Sequence, residues 1–339
     1  MSYKPTVLHV GDIEYSTELW KSLSKIANVI YLPQSSTYEE FSSIPNSNEI
    51  VVIAKTPQSK TFTGQFDKHV FDLFPSLKLV AHNGAGYDSV DVSEATNRGI
   101  QVTNTPGLVD DCTADIHLYL LLGVIRNCGM ANHLIKDWKS AASPCAGAPI
   151  GRSPSGLTIG IIGMGGIGRA IRERLKAFKF KRIIYYNRTR LDSDADEGSE
   201  YVSFDQLLAE SDVISIICSL NKTTHHLIND QTINKMKDGV MIINTARGAV
   251  IDTEALLKNL DSGKISCAGL DVFEDEPEPH PSLLSRPNVL TTPHLGTWTI
   301  EATTTMEELV IDNVTSYINT GLAKTLVPEQ QSVQFISGR

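Results

Sequence analysis

Short apolar runs rich in β-branched residues alternate along this chain with stretches whose apolar positions recur at helical spacing. In the first third the runs cover residues 6–10, 28–32, 50–54, 77–81 and 100–103, with helical stretches such as 17–27 and 90–98 between them. A second series has runs at 158–162, 182–186, 213–217, 240–244, 267–270 and 289–291, and helical stretches at 167–178, 204–209, 230–236 and 253–260. Runs that are apolar throughout belong to strands covered on both faces, and the helical stretches supply the covers. The pattern predicts an α/β protein of two doubly wound parallel-sheet domains, the first flavodoxin-like in rhythm.

Two places read as crossings between the domains. One is Thr105-Pro106-Gly107, before a long apolar helix that begins near Asp110 or Asp111. The other is the segment 293–297, followed by a helical pattern through Glu307, Leu309, Val310, Val314 and Ile318. If that last helix packs on the first sheet, one domain is discontinuous, 1–105 with 297–339, and the other is 106–296. The Ala-, Ser-, Gly- and Pro-rich stretch 140–155 reads as a loop or arm, and the residues from about 329 as a loose tail. The apolar run 116–125 falls well short of the roughly 20 residues of a spanning helix, so no membrane role is expected. A net charge of −9 argues against nucleic acid as a partner. Five scattered cysteines without a C-x-x-C pair, and no signal region, read as reduced, mostly buried thiols of a cytoplasmic protein.

The string LTIGIIGMGGIG at 157–168 joins an apolar strand to a helix and fits G-x-G-x-x-G at Gly163, Gly165 and Gly168. Gly163 permits the tight turn, Gly165 lets backbone approach a pyrophosphate, and Gly168 lets helix and strand pack closely. With Gly166 and Ile167 these residues open a helix N-terminus that offers free N–H groups to phosphate. The second domain is therefore predicted to be a Rossmann dinucleotide-binding domain. A ribose-reading acid belongs about 20 residues on, at the end of the next strand. That position holds Asn187, followed by Arg188, Thr189 and Arg190. An amide, a hydroxyl and two guanidinium groups suit a 2′-phosphate, so NADP(H) is preferred and NAD(H) remains possible.

Three further segments end predicted strands: INTARG at 243–248, AGLDVFEDEP at 268–277 and TPHLG at 292–296. Ligands bind at the carboxyl edge of such sheets. Arg247, Glu276 and His294 delivered to one edge can bind an anion and move a proton. Together with HNGAGYDSVD at 82–91, VTNTPGLVDDCTAD at 102–115, GMGGIG at 163–168 and NTARGAVID at 244–252, these strings make the chain resemble the D-isomer-specific 2-hydroxyacid dehydrogenases, nearest their fungal-type glyoxylate/hydroxypyruvate reductases. The likeness runs from about residue 5 to 328.

The resemblance implies a cleft between the domains and a role for each matching residue. Arg247 grips the carboxylate of a small 2-oxoacid, His294 donates the proton in reduction, and Glu276 hydrogen-bonds His294. The Asn83–Gly86 loop holds the substrate through backbone N–H groups, at Ala85 and Gly86. Thr113, Thr245 and Asp271 lie near the nicotinamide half, and Cys218, Ser219 and Leu220 near the ribose or adenine. The chemistry agrees, because reduction builds negative charge on oxygen and calls for a cation and an acid beside it. A D-mandelate-type or longer-chain dehydrogenase is the alternative enzyme, and a nucleotide-sensing, corepressor-like scaffold the alternative outside enzymes. The resemblance also implies a homodimer, with the helix 114–125 and the arm from Trp138 to about residue 150 as contacts. Ser219 stands where many members have Pro. His225-His226 sit in a loop with no Cys or acid at ligand spacing, so no metal is expected.

Overall fold

A computed structural model describes residues 4–139, 143–192 and 198–335. The chain divides into two compact units, Met1–Val109 with Thr299–Arg339, and Asp110–Trp298.

The first unit holds strands β1 (Thr6–Val10), β2 (Asn28–Leu32), β3 (Ile50–Lys55), β4 (Leu79–His82) and β5 (Gln101–Thr103). They form one parallel sheet in the order β2-β1-β3-β4-β5. Side chains of a strand point alternately to the two faces. Leu8 and Val10 thus pack with Phe41, Phe66, Phe71 and Phe74 on one face, and Val7 packs with Trp20 and Leu23 on the other. The C-terminal helix Ile300–Thr320 closes that second face through Val310, Ile311 and Val314. Its buried Glu307 accepts from the N–H groups of Glu14 (2.7 Å), Tyr15 (3.1 Å) and Ser16 (2.8 Å), ahead of the helix Thr17–Leu23. That helix is shorter than its apolar pattern predicts. Ser24, Lys25 and Ile26 bond to carbonyls three residues back, which tightens its end into turns.

The second unit holds β6 (Thr158–Ile162), β7 (Arg182–Tyr186), β8 (Glu200–Tyr201), β9 (Val213–Ile216), β10 (Val240–Asn244), β11 (Ile265–Leu270) and β12 (Val289–Thr291). They pair in the order β12-β11-β10-β9-β6-β7-β8, all parallel, so strand order reverses between β6 and β9. Ile242 packs on one face of this sheet, Met241 and Ile243 on the other. The helices Asp110–Ile125 and Gly166–Phe178 cover the Met241 face, and Thr253–Asp261 covers the opposite one. Helix Asp110–Ile125 is apolar nearly all round because both its flanks are packed.

Several elements escape the sequence pattern: the helices Tyr38–Ser42, Lys60–Thr63, Lys68–Leu73, Cys128–Leu134 and Pro281–Leu284, and strand β8. All are too short to show a period. Of the expected arm, residues 140–142 lie outside the described residues, as do 336–339 of the expected tail. The expectation of mostly buried thiols is wrong. All five cysteines are free, but only Cys267 is buried, and Cys128 and Cys145 are exposed because they lie beside and within that arm. Among the described residues no single helix is long and apolar enough to cross a membrane.

Candidate active site

The glycine loop follows β6 directly. Gly163 has φ +103°, and a Cβ there would sit 2.7 Å from the Cys218 nitrogen. A Cβ on Gly168 would meet the Gly163 carbonyl at 2.2 Å, which fixes how closely helix and loop pack. A Cβ on Gly165 would meet nothing within 4 Å, so this backbone borders open space. No side chain caps the helix Gly166–Phe178, whose N-cap is Gly165. Open backbone and uncapped N–H groups fit a dinucleotide's pyrophosphate. Ile167 turns inward against the core, and a Cβ on Gly166 would strike the Asp110 carboxylate at 2.1 Å. Asp110 is a neighbour the sequence reading missed. Burial raises its pKa, with Arg169 pulling the other way.

Asn187 at the end of β7 has its amide oxygen engaged. It accepts from the Met164 N–H at 2.6 Å, so this side chain braces the glycine loop and presents only its NH2 end elsewhere. Arg188, Thr189 and Arg190 are exposed. The Arg190 guanidinium lies over the Tyr201 ring, 5.7 Å from its centroid, and Tyr201 Oη donates to the Asn187 carbonyl at 3.3 Å. In the segment after β9, Cys218 and Leu220 pack against the core. Burial pushes the Cys218 thiol up to about 11, leaving it neutral. The carbonyl of exposed Ser219 accepts from Thr224 Oγ1 at 2.7 Å.

Arg247, Glu276 and His294 follow β10, β11 and β12, at the carboxyl edge of the sheet. Asn244 shapes the first turn: its Oδ1 accepts from Ala246 N–H (3.0 Å) and its Nδ2 donates to the Arg247 carbonyl (2.9 Å). Gly248 is obligatory, because a Cβ would fall 1.8 Å from the Phe273 carbonyl carbon. The turn carrying Arg247 therefore lies against the turn carrying Glu276.

His294 has φ 55°, a left-handed conformation that costs a non-glycine residue energy. Asp271 holds it there. The Asp271 carbonyl accepts from His294 N–H at 2.7 Å, and its buried carboxylate accepts from Leu295 N–H (2.7 Å), Gly296 N–H (2.8 Å) and Thr292 Oγ1 (2.6 Å). Thr113 Oγ1 donates to the Gly296 carbonyl at 3.2 Å. Asp271 and Thr113 thus shape the His294 turn. Thr245 Oγ1 is 2.9 Å from Nδ1 of the fully buried His117, whose Nε2 is 2.8 Å from Ser215 Oγ. Burial lowers the pKa of His117 to about 3, so it is a neutral strut.

The Glu276 carboxylate bridges two groups. Oε1 accepts from Phe273 N–H at 2.8 Å, and Oε2 lies 2.8 Å from His294 Nδ1. Its partial burial would raise the pKa, but the bond to His294, the Phe273 N–H and the Arg247 charge outweigh this and hold it below the usual carboxylate range. An ionised carboxylate can only accept, so Nδ1 carries the proton and Nε2 is the ring atom left to face a reactant.

In the other unit, β4 runs into the Asn83–Gly86 loop. Thr105 N–H donates to the Gly84 carbonyl (3.0 Å), Asn104 Nδ2 to that of Ala85 (2.8 Å), and His82 Nε2 lies 2.8 Å from that of Gly86. Asn83 N–H donates to the Lys55 carbonyl at 2.9 Å. With three successive carbonyls held, no described residue accepts from the N–H of Ala85 or Gly86. Lys55, another residue the sequence reading missed, is 1% exposed at the end of β3. Its Nζ donates to Ser89 Oγ at 3.0 Å, and burial lowers its pKa to about 7 against the pull of Asp88.

In the 221–229 loop, His226 Nε2 is 2.5 Å from Glu274 Oε1. The loop has no acid at ligand spacing in sequence, but the fold supplies one from 48 residues further on.

Residues 118–296 match the family described as D-isomer specific 2-hydroxyacid dehydrogenase, NAD binding domain. The chain is 48% identical to glyoxylate reductase 1 of Saccharomyces cerevisiae, over 98% of this chain and 97% of that one. It is 43% identical to 4-methyl-2-oxopentanoate reductase A of Aspergillus oryzae, over 97% and 99% of the two chains. Among solved structures it is similar to the NADPH-dependent glyoxylate/hydroxypyruvate reductase of Sinorhizobium meliloti, in complex with NADP and malonate. That match has a TM-score of 0.83 and 31% identity, and covers 96% of this chain and 98% of that one. The chain belongs to the D-isomer-specific 2-hydroxyacid dehydrogenases, oxidoreductases with a Rossmann domain for a nicotinamide dinucleotide.

Proposed function

We propose that this enzyme reduces small 2-oxoacids, glyoxylate and hydroxypyruvate, to 2-hydroxyacids with NADPH. The observation that carries the reading is the Glu276–His294 bond of 2.8 Å at the sheet edge that also carries Arg247. The bound dihydronicotinamide supplies the hydride. Arg247 binds the substrate carboxylate bidentately and draws charge toward the 2-oxo oxygen. His294 gives that oxygen its proton from Nε2, and ionised Glu276 stabilises the imidazolium that does so. The N–H groups of Ala85 and Gly86 are the donors that the family resemblance assigns to the substrate.

The choice of NADPH rests on the missing acid after β7 and on exposed Arg188 and Arg190, whose guanidinium groups suit a 2′-phosphate. Gly163 to Gly168 would hold the pyrophosphate. Thr245 and Asp271 would lie by the nicotinamide, and Cys218 to Leu220 by the adenosine. A homodimer and a cytoplasmic location belong to the same reading. The dimer is supported by exposed apolar side chains on or beside the proposed contact segments, among them Tyr119, Trp138 and Ile150.

The Aspergillus relative favours one second reading, a preference for a branched, longer 2-oxoacid. The deciding measurement is kcat/KM for glyoxylate, hydroxypyruvate, 4-methyl-2-oxopentanoate and phenylglyoxylate with each nicotinamide cofactor. The proposal expects the two small acids with NADPH to lead. A lead for 4-methyl-2-oxopentanoate installs the second reading. Cofactor binding without turnover of any of them overturns both.

A further inference from the structure

Three metal-ligating side chains that the reduction does not use meet between the loop after β9 and the loop after β11. His225, His226 and Glu274 each bring one donor atom within 4.8 Å of the others. The two imidazole rings stack with centroids 4.0 Å apart. His226 is firmly placed: its N–H donates to the Ala249 carbonyl at 2.8 Å, and its own carbonyl accepts from Asn229 Nδ2 at 2.8 Å. The Glu274 oxygen not facing His226 accepts from Thr253 Oγ1 at 2.8 Å. Carboxylates that bind a metal are commonly oriented by such an outer hydrogen bond.

We propose that His225, His226 and Glu274 bind one divalent transition-metal ion of borderline softness, such as Zn2+ or Co2+. Two imidazoles and one carboxylate are too few oxygen donors for Ca2+ or Mg2+, but they match three-ligand sites whose remaining position is taken by water. The ion takes the place of the hydrogen bond between His226 Nε2 and Glu274 Oε1. These atoms then part from 2.5 Å to the roughly 3.3 Å that bonds of about 2.0–2.1 Å to one tetrahedral centre require. Exposed His225 swings in by side-chain rotation. The ion ties the 221–229 loop to Glu274, two residues from Glu276, and through the His226–Ala249 bond to the segment two residues beyond Arg247. It thereby braces two of the loops that carry the chemistry, without touching the reactants.

The test is binding of Zn2+ and Co2+ to the untagged full chain at neutral pH, by calorimetry and by visible absorption of the cobalt form. One ion per chain is expected, with a rise in Tm. His225→Ala, at an exposed site, should weaken binding by at least about 10-fold and leave turnover of the metal-free enzyme unchanged. Glu274→Gln should weaken it as well. Absence of saturable binding overturns the proposal, and so does binding that His225→Ala leaves intact. A thiolate-to-cobalt charge-transfer band overturns it too, by assigning the ion to Cys128 or Cys145.

Discussion

His294 illustrates how much one residue depends on its surroundings. Its identity was readable from TPHLG, but its proton state follows from Glu276, and its backbone conformation from Asp271. His294→Ala should lower kcat by about 10²–10⁴-fold, the usual contribution of a positioned acid, with cofactor affinity unchanged by fluorescence titration. Equal loss of cofactor binding would instead make His294 structural. The arginines after β7 make a second prediction at this scale. Removing one charge-assisted bond to a phosphate costs about 1.5–3 kcal/mol, so Arg188→Ala or Arg190→Ala should reduce kcat/KM for NADPH by about 10- to 150-fold. The NADH value should hold, and a parallel fall for both cofactors would remove these residues from cofactor selection. Asn187 shows where residue-level reading stops: its place at the end of β7 is legible in the spacing, but not that its amide oxygen is spent on Met164.

Elements are held in register by contacts that leave no room for change. The turn carrying Arg247 meets the turn carrying Glu276 at Gly248, where an added Cβ would overlap the Phe273 backbone. Backbone on both sides cannot move aside as a side chain could. Gly248→Ala should therefore cost about 3 kcal/mol or more, visible as a lower midpoint in urea unfolding, and should cut kcat as well. A variant of normal stability and activity would refute this account of the turn. Lys55 makes an element-scale case in the first unit. It joins β3 to the segment after Gly86 through Ser89, and its ammonium is desolvated. Lys55→Met keeps the length and removes the buried charge, so thermal unfolding should find the variant as stable as the parent or more so. A large loss of Tm would show that the Ser89 bond outweighs the cost of burying the charge.

For the whole molecule, two buried histidines make stability depend on pH. Burial lowers His9 to about 4 and His117 to about 3, whereas an unfolded histidine titrates near 6.5. Below about pH 6.5 the unfolded chain takes up protons that the folded chain refuses, so stability falls with pH until the folded histidines themselves protonate. By about pH 5 each should have removed roughly 2 kcal/mol, and Glu276, whose pKa is depressed, adds to the loss in more acidic solution. Denaturant titrations from neutral pH to pH 5 would measure this, and a flat profile would show that neither histidine is as deeply desolvated as its burial indicates. Neither was legible in sequence, because a lone histidine in an apolar run carries no sign of what will surround it.

The alternation of apolar runs and helical periods was sufficient for two parallel sheets, since strands buried on both faces and helices with packed flanks leave a local pattern. The glycine spacing after β6 and the three strand-end strings were equally local, because turn geometry and strand ends constrain neighbouring residues. Short elements such as β8 lacked the length for any period. The pairings of Asp271 with the His294 turn, His117 with Thr245, Lys55 with Ser89, and His226 with Glu274 join residues 21 to 128 positions apart. Only the folded chain could make them, because proton states and ligand sets depend on which groups share a desolvated space, and that is decided by packing between segments rather than by order along the chain.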